Sequence, residues 1–433
     1  MYFFIGIKGT GMAALAIMLK ELGYEVSGSD IDRPLFTEDL LRKHHIPILS
    51  FNKANIKDNY QVIIGNAFFP NHPEVEAALE NPTIKTWYYH EYLGELLENY
   101  ASVAISGTHG KTTTTALLAA VLNPYYKLGY LIGDGTGQLK PETTDLIIEA
   151  CEFKRHFLAY HPDIAVVTNI GYDHVDYFKT EEDYFKAFQE FVDQAQQSLV
   201  IYGDSEKTRK LKLNKPHIYY GINPNNDLQA TNIVMNSDEM SFDVLYQNQP
   251  FGTFKLPFVG SHLLENSLAV IAVSILKGLT YSEIKVGFEN YHGVKRRFIV
   301  EVIKDSIFID DYAHHPVELK VTLETARLRF PNHKLVAVYK PHRVSRIFHF
   351  VKDINAALSL ADKIVLLPFN SIDDYESHLD IDIDFLANQV TNSVVIEENQ
   401  KGVDYLASLA PACFVFMSDK DIYHLADQVK KII

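Results

Sequence analysis

Short apolar runs alternate with longer helical stretches along the whole chain, and most of the runs end in a polar cluster. Tyr2-Phe3-Phe4-Ile5, Tyr24 to Asp30 and Val62-Ile63-Ile64 read as strands in the first part, with a helix from Met12 to Leu22 between the first two. Ser102 to Ser106, Asp145 to Ile148 and Ile164 to Val167 follow, and Ala116 to Leu122 is a helical run after the first of these. Ile307 to Ile309, Lys334 to Val338, Lys363 to Leu367 and Cys413 to Met417 close the series. Strands separated by helices predict an α/β fold with mainly parallel sheets. The pattern divides into three blocks, residues 1–98, 99–297 and 298–433. The first and last read as Rossmann-like, and the middle one as a P-loop-type ATPase domain.

The strongest local signal is Gly107-Thr108-His109-Gly110-Lys111-Thr112-Thr113. It sits between the strand ending at Ser106 and the helical run. Glycines let backbone N–H groups approach phosphate oxygens, and the helix N-terminus adds its positive dipole end. Lys111 is placed to reach the β- and γ-phosphates of a nucleotide, and the Thr112 hydroxyl to meet Mg²⁺. The first block opens with a second glycine loop, Gly6-Ile7-Lys8-Gly9-Thr10-Gly11, and a strand ending at Asp30. An acid there can meet a ribose or contact the loop itself. The G-x-x-G-x-G order departs from the dinucleotide fingerprint. An NAD-dependent oxidoreductase also leaves Gly110-Lys111-Thr112 and Glu149 without a role.

Ligands in open α/β sheets bind beyond the carboxyl ends of the strands. The clusters Glu149-Ala150-Cys151-Glu152 and Thr168-Asn169-Ile170-Gly171-Tyr172-Asp173-His174-Val175-Asp176 are therefore expected near the phosphate loop. Magnesium prefers oxygen ligands, so Thr112, Glu149 or Glu152, and the Asp173/His174 pair are candidates to hold it. In the third block, Asp310-Asp311-Tyr312-Ala313-His314-His315-Pro316 suits either a polar ligand or a helix cap. Arg343 and Arg346, three apart on one helical face, suit an anionic phosphate or carboxylate.

Bulk properties narrow the classes. The 433 residues are 47% hydrophobic and 22% charged, as in an ordinary globular protein. A formal net charge of −15 argues against nucleic acid as a partner. The 2 cysteines, Cys151 and Cys413, provide neither a disulfide framework nor a zinc spacing, which fits a reducing cytoplasm. No signal peptide and no membrane-spanning apolar stretch is expected.

Together these motifs resemble the Mur ligases, ATP-dependent amide ligases of peptidoglycan precursor synthesis. The likeness covers essentially the whole chain. It rests on the two glycine loops, Glu149-Ala150-Cys151-Glu152, Thr168-Asn169-Ile170 with Asp173, His174 and Asp176, Gly293-Val294-Lys295-Arg296-Arg297-Phe298, the Asp-Asp-Tyr-Ala-His-His-Pro string, and Pro341-His342-Arg343 with Arg346. The last two point to the branch that joins L-alanine to UDP-N-acetylmuramate. The resemblance implies that Gly9, Thr10, Gly11 and Asp30 hold the nucleotide sugar. It assigns ATP to Gly107, Thr108, His109, Gly110, Lys111, Thr112 and Thr113, with Asn266, Arg297, Asp311 and Tyr312 around the nucleotide. Mg²⁺ falls to Thr112, Glu149 and His174. His342, Arg343 and Arg346 would orient the amino acid and the sugar carboxylate. Lys111, Glu149, His174, His342 and Arg346 would form the catalytic set.

Three departures from the family pattern stand out. Leu263 replaces an expected Asn in His262-Leu263-Leu264-Glu265-Asn266, and Lys340 precedes Pro341-His342 where Gln is usual. Ser418-Asp419-Lys420-Asp421 replaces a usual Gly-Ala-Gly-Asp. The departure in the last segment puts larger, charged side chains where small ones allow close approach. The ATP half thus keeps its pattern, and amino-acid choice rests on an altered loop. A Mur-type ligase adding another amino acid or a murein peptide, or a catalytically idle nucleotide-binding homologue, shares these features.

Overall fold

A computed structural model describes residues 1–433 apart from 292, 294, 295, 370–378 and 380. Val294 and Lys295 of the Gly293–Phe298 motif thus lie outside the described residues. The described residues form three sheets of five, ten and six strands.

The first sheet is wholly parallel, in the order Ile48–Ser50, Val26–Asp30, Tyr2–Ile5, Gln61–Ile64, Lys85–Tyr88. The chain reverses direction of build at Tyr2–Ile5, and the crevice beyond the carboxyl end of that strand is where such a sheet binds ligands. Helix Thr10–Glu21 starts there. It begins two residues earlier than the apolar pattern indicates, because Thr10 and Gly11 take helical geometry without adding apolar surface. The second strand starts at Val26, since Gly23, at φ 90°, turns the chain first.

The phosphate-loop strand Ala101–Ser106 lies between Ile164–Val167 and Asp145–Glu149 in the central sheet. All three run parallel, with Val167 beside Ser106 and Glu149 beside Ile105. The three polar strand ends therefore emerge side by side. Ile164–Val167 is buried along its full length, as expected of a strand covered on both faces. Three antiparallel strands, Leu228–Met235, Met240–Tyr246 and Gln249–Leu256, extend the far edge.

The first two units pack closely. One apolar cluster runs from Leu15 and Ile63 through Tyr92 and Leu93 to Phe157 and Phe188. Helix Tyr89–Leu97 approaches the following unit so tightly that a Cβ on Gly94 would lie 2.3 Å from the Ala159 carbonyl oxygen.

In the third sheet, Cys413–Met417 is central, flanked by parallel Ser306–Asp311 and Leu335–Tyr339. Met417 is level with Asp311 and Tyr339, so the Asp311, Tyr339 and Ser418 segments leave the sheet at the same edge. From this carboxyl end of the strands, His315 and Glu318 reach His109 of the phosphate loop.

Candidate functional site

The phosphate loop is built by backbone conformations that only glycine adopts easily. Gly107 has φ 139° and Gly110 has φ 83°. A Cβ on Gly107 would lie 2.0 Å from Thr168 Oγ1. The neighbouring strand end braces the loop. His109 N–H donates to Asn169 Oδ1 at 2.9 Å, and Thr168 Oγ1 donates to the His109 carbonyl at 2.6 Å. Thr108 Oγ1 is 2.7 Å from the Gly171 carbonyl and 2.8 Å from the buried Tyr184 hydroxyl. Helix Lys111–Leu122 begins directly after Gly110, with Thr112 and Thr113 buried in its first turn.

Lys111 is not a solvated lysine. Its ammonium donates to the Gly107 and Thr108 carbonyls and lies 2.9 Å from Glu152 Oε2. Burial opposes its charge, but Glu152, Cys151 and Glu149 outweigh burial and hold its pKa above the usual lysine value. Glu152 is the counterpart. Burial would raise its pKa, yet Lys111 and His174 bring it down to about 2. His174 Nε2 is 3.5 Å from Glu152 Oε1, and His174 sits at φ 51°, an uncommon conformation for a non-glycine residue. Thr112 Oγ1 donates to Glu149 Oε2 at 2.8 Å. The structure thus joins Thr112 with Glu149 and, beside them, Lys111 and His174 with Glu152. Among the described residues no group of three or more His, Cys, Asp or Glu side chains is gathered to hold a metal by itself.

Thr10 and Gly11 from the N-terminal loop line the same cleft as Thr112, Glu149, Arg297 and Tyr312. Its volume is about 300 Å³. Asp30 does not reach into it. Its carboxylate accepts the Lys8 and Ile31 backbone N–H groups at 2.7 and 2.8 Å and so shapes the loop that carries Gly9. Lys8 turns its ammonium toward the Ile31 carbonyl and Glu38, each at 2.9 Å.

Asp311 accepts the Phe298 and Ala313 backbone N–H groups at 2.8 and 2.7 Å. Burial pushes its carboxyl up to about 6 against the pull of Arg297. It therefore holds the entry to the third unit, while Tyr312 and Arg297 stack at 5.0 Å and face the cleft. Asn266 is buried, with its Oδ1 2.6 Å from where a Gly110 Cβ would be. His109 meets the third unit directly: its Nδ1 is 3.2 Å from Glu318 Oε1, and its ring lies against that of His315 at 4.6 Å.

The three residues expected at the acceptor end each face a carboxylate. Arg346 holds Asp173 through Nε and Nη2 at 3.1–3.2 Å. Arg343 Nη1 bonds Asp176 Oδ2, and His342 Nδ1 is 2.6 Å from Asp419 Oδ2. Two of these pairs cross from the third unit to the second.

Three family models match in chain order: the "Mur ligase family, catalytic domain" over residues 2–101, the "Mur ligase middle domain" over 105–274, and the "Mur ligase, glutamate ligase domain" over 296–418. The chain belongs to the Mur ligase family. It is 42% identical to a UDP-N-acetylmuramate–L-alanine ligase of Pediococcus pentosaceus, over 97% of this chain and 96% of that one. In structure this Mur ligase is similar to a UDP-N-acetylmuramate–alanine ligase of Thermotoga maritima, with a TM-score of 0.82, 24% identity, and coverage of 100% and 98% of the two chains. A murein peptide ligase of Psychrobacter arcticus has the same fold, at TM-score 0.75, 21% identity and 100% and 99% coverage. These two show the shared three-domain α/β architecture.

Two residues of this Mur ligase's site do not stand out as site residues in the sequence. Glu318 is a half-buried junction: it faces His109, accepts the His314 backbone N–H at 3.2 Å, and lies 3.9 Å from Arg297. Burial would raise its pKa, but His314, His109 and Arg297 hold it well below the carboxylate range. A signal is present, since His315-Pro316-Val317-Glu318 is a capping box with His in the Ser/Thr position. Asp419 is legible as a departure but not as the partner of His342.

Proposed function

We propose that this Mur ligase joins L-alanine to the carboxylate of UDP-N-acetylmuramate, with ATP converted to ADP and phosphate. The observation that carries this reading is the end-to-end 42% identity to a ligase of that name, with every phosphate-loop position in place. The three-block division at residues 1–98, 99–297 and 298–433 belongs to the reading. It is supported by a first sheet that ends at Tyr88 and by sheets that open at Ala101 and Ile299. The reaction would run in the cytoplasm; no helix among the described residues is long and apolar enough to cross a membrane.

Each group of residues has its own part in the chemistry. Gly9, Thr10 and Gly11 take the nucleotide sugar, and Asp30 acts by fixing their loop. The backbone from Gly107 to Thr113 cradles the ATP phosphates, with Asn266, Arg297 and Tyr312 around the nucleotide. Thr112 and Glu149 offer oxygen donors 2.8 Å apart at a helix N-terminus, which suits Mg²⁺ held jointly with phosphates. When bound, Mg²⁺ would neutralise charge on the transferring phosphoryl group. His174 contributes beside them through Glu152. A sugar carboxylate oxygen attacks the γ-phosphorus and ADP leaves, giving an acyl phosphate. The alanine nitrogen then attacks the carbonyl carbon, a proton departs, and phosphate is expelled. Lys111, drawn toward the γ-phosphate, stabilises the first step. His342, Arg343 and Arg346 orient the acceptor for the second. The pairs from the third domain onto Asp173, Asp176 and His109 exclude water from the acyl phosphate.

The test is phosphate release from ATP with Mg²⁺ and UDP-N-acetylmuramate, using L-alanine, glycine, L-serine and a murein tripeptide as acceptors. The reading expects the greatest stimulation with L-alanine. Release only with the tripeptide assigns the enzyme to murein-peptide ligation instead.

A further inference from the structure

Among the buried polar atoms at the acceptor end without a hydrogen-bond partner among the described residues are Arg346 Nη1 and Asp419 Oδ1. They carry opposite charges. Arg346 spends Nε and Nη2 on Asp173 and is 3% exposed, so Nη1 is a desolvated donor. Asp419 spends Oδ2 on His342, leaving Oδ1 as a desolvated acceptor on a side chain 12% exposed. A buried charged group left short of a partner costs free energy that a complementary ligand recovers.

The Asp419 loop is built rather than loose. Arg296 Nη2 donates to the Ser418 and Lys420 carbonyls at 2.7 and 2.9 Å, clamping the backbone on both sides. Ser418 Oγ donates to the Lys340 carbonyl at 2.9 Å, tying the loop to the segment that carries His342. Burial opposes ionisation of Asp419, but His314, His342 and Arg346 keep it charged. The two atoms thus belong to one electrostatic cluster.

We propose that Asp419 is an acceptor-binding residue that takes the α-ammonium of the incoming amino acid, while Arg346 takes its α-carboxylate. An α-amino acid is a zwitterion, and a buried cation with a spare donor in the same charged cluster as an anion with a spare acceptor is its complement. This inference rests on the reading of His342, Arg343 and Arg346 as the acceptor end. It gives the altered Ser418–Asp421 segment a role: the added carboxylate positions the amino group of the acceptor.

The test uses Asp419→Asn in the full chain, which keeps the shape and the contact with His342 but removes the charge. The KM for L-alanine should rise at least tenfold, with the KM for ATP within twofold of wild type. An alanine KM that is unchanged or lower overturns the proposal and makes Asp419 a counter-ion to His342 alone. Calorimetric titration of the wild-type enzyme with L-alanine and with propionate, which lacks the ammonium, gives a second measure. Alanine should bind at least tenfold more tightly, and equal binding overturns the proposal. If wild type shows no alanine-dependent phosphate release, the functional reading fails, while the same two titrations repeated on Asp419→Asn, which should lose the preference for alanine over propionate, still decide the role of Asp419.

Discussion

Arg346 of the third domain holds Asp173 of the second in a two-pronged contact at 3.1–3.2 Å, with both side chains almost fully buried. Breaking such a pair from one side leaves an uncompensated buried charge, which costs about 3–5 kcal/mol. Asp173→Asn should therefore lower stability by roughly that amount in denaturant unfolding. A change below about 1 kcal/mol would show that the contact is solvated and only incidental.

His315 makes stability pH-dependent. It caps helix Pro316–Arg329 by accepting the Val317 N–H on Nδ1, which requires that nitrogen to be unprotonated. Burial, with His109 next, pushes its pKa down to about 3. A depressed pKa contributes stability that is fully present above the unfolded value near 6.5 and is lost as pH falls toward 3. Between pH 7 and pH 5 the loss is about 2 kcal/mol. His315→Asn keeps a capping acceptor but cannot titrate, so its stability should fall less than that of wild type by about this amount. Equal slopes would mean that other groups set the pH dependence.

Gly107 tests the phosphate cradle. At φ 139°, with Thr168 Oγ1 2.0 Å from where a Cβ would be, alanine cannot enter without moving the loop off its brace. Gly107→Ala should weaken ADP binding at least tenfold in equilibrium titration. Undiminished binding would mean that this loop does not carry the phosphates.

The parallel strands are legible in the sequence because both faces are covered, so Ile164–Val167 and Cys413–Met417 read as uninterrupted apolar runs. The antiparallel strands Leu228–Met235 and Gln249–Leu256 are not, since exposed positions alternate with buried ones among Asn, Gln and Lys. The phosphate loop declares itself by local order. Its partners do not: Glu152 reads only as an alternative to Glu149, and which carboxylate meets Lys111 depends on how the strand end turns. Asp30 can be placed beside the first loop from its position at a strand end, but only packing shows that both carboxylate oxygens are used there. The contacts of Glu318 with His109 and of Asp419 with His342 join segments far apart in the chain, and no local spacing encodes them.

The acyl phosphate is the central chemical claim, and oxygen tracing tests it directly. UDP-N-acetylmuramate labelled with ¹⁸O in its carboxylate is turned over with unlabelled ATP, Mg²⁺ and L-alanine, and the phosphate is analysed by mass spectrometry. Attack of the carboxylate on the γ-phosphorus predicts one labelled oxygen in each phosphate released from fully labelled substrate. Unlabelled phosphate, with ATP consumed and product formed, would contradict carboxylate phosphorylation, and with it the part that Lys111 and the phosphate loop play in that step.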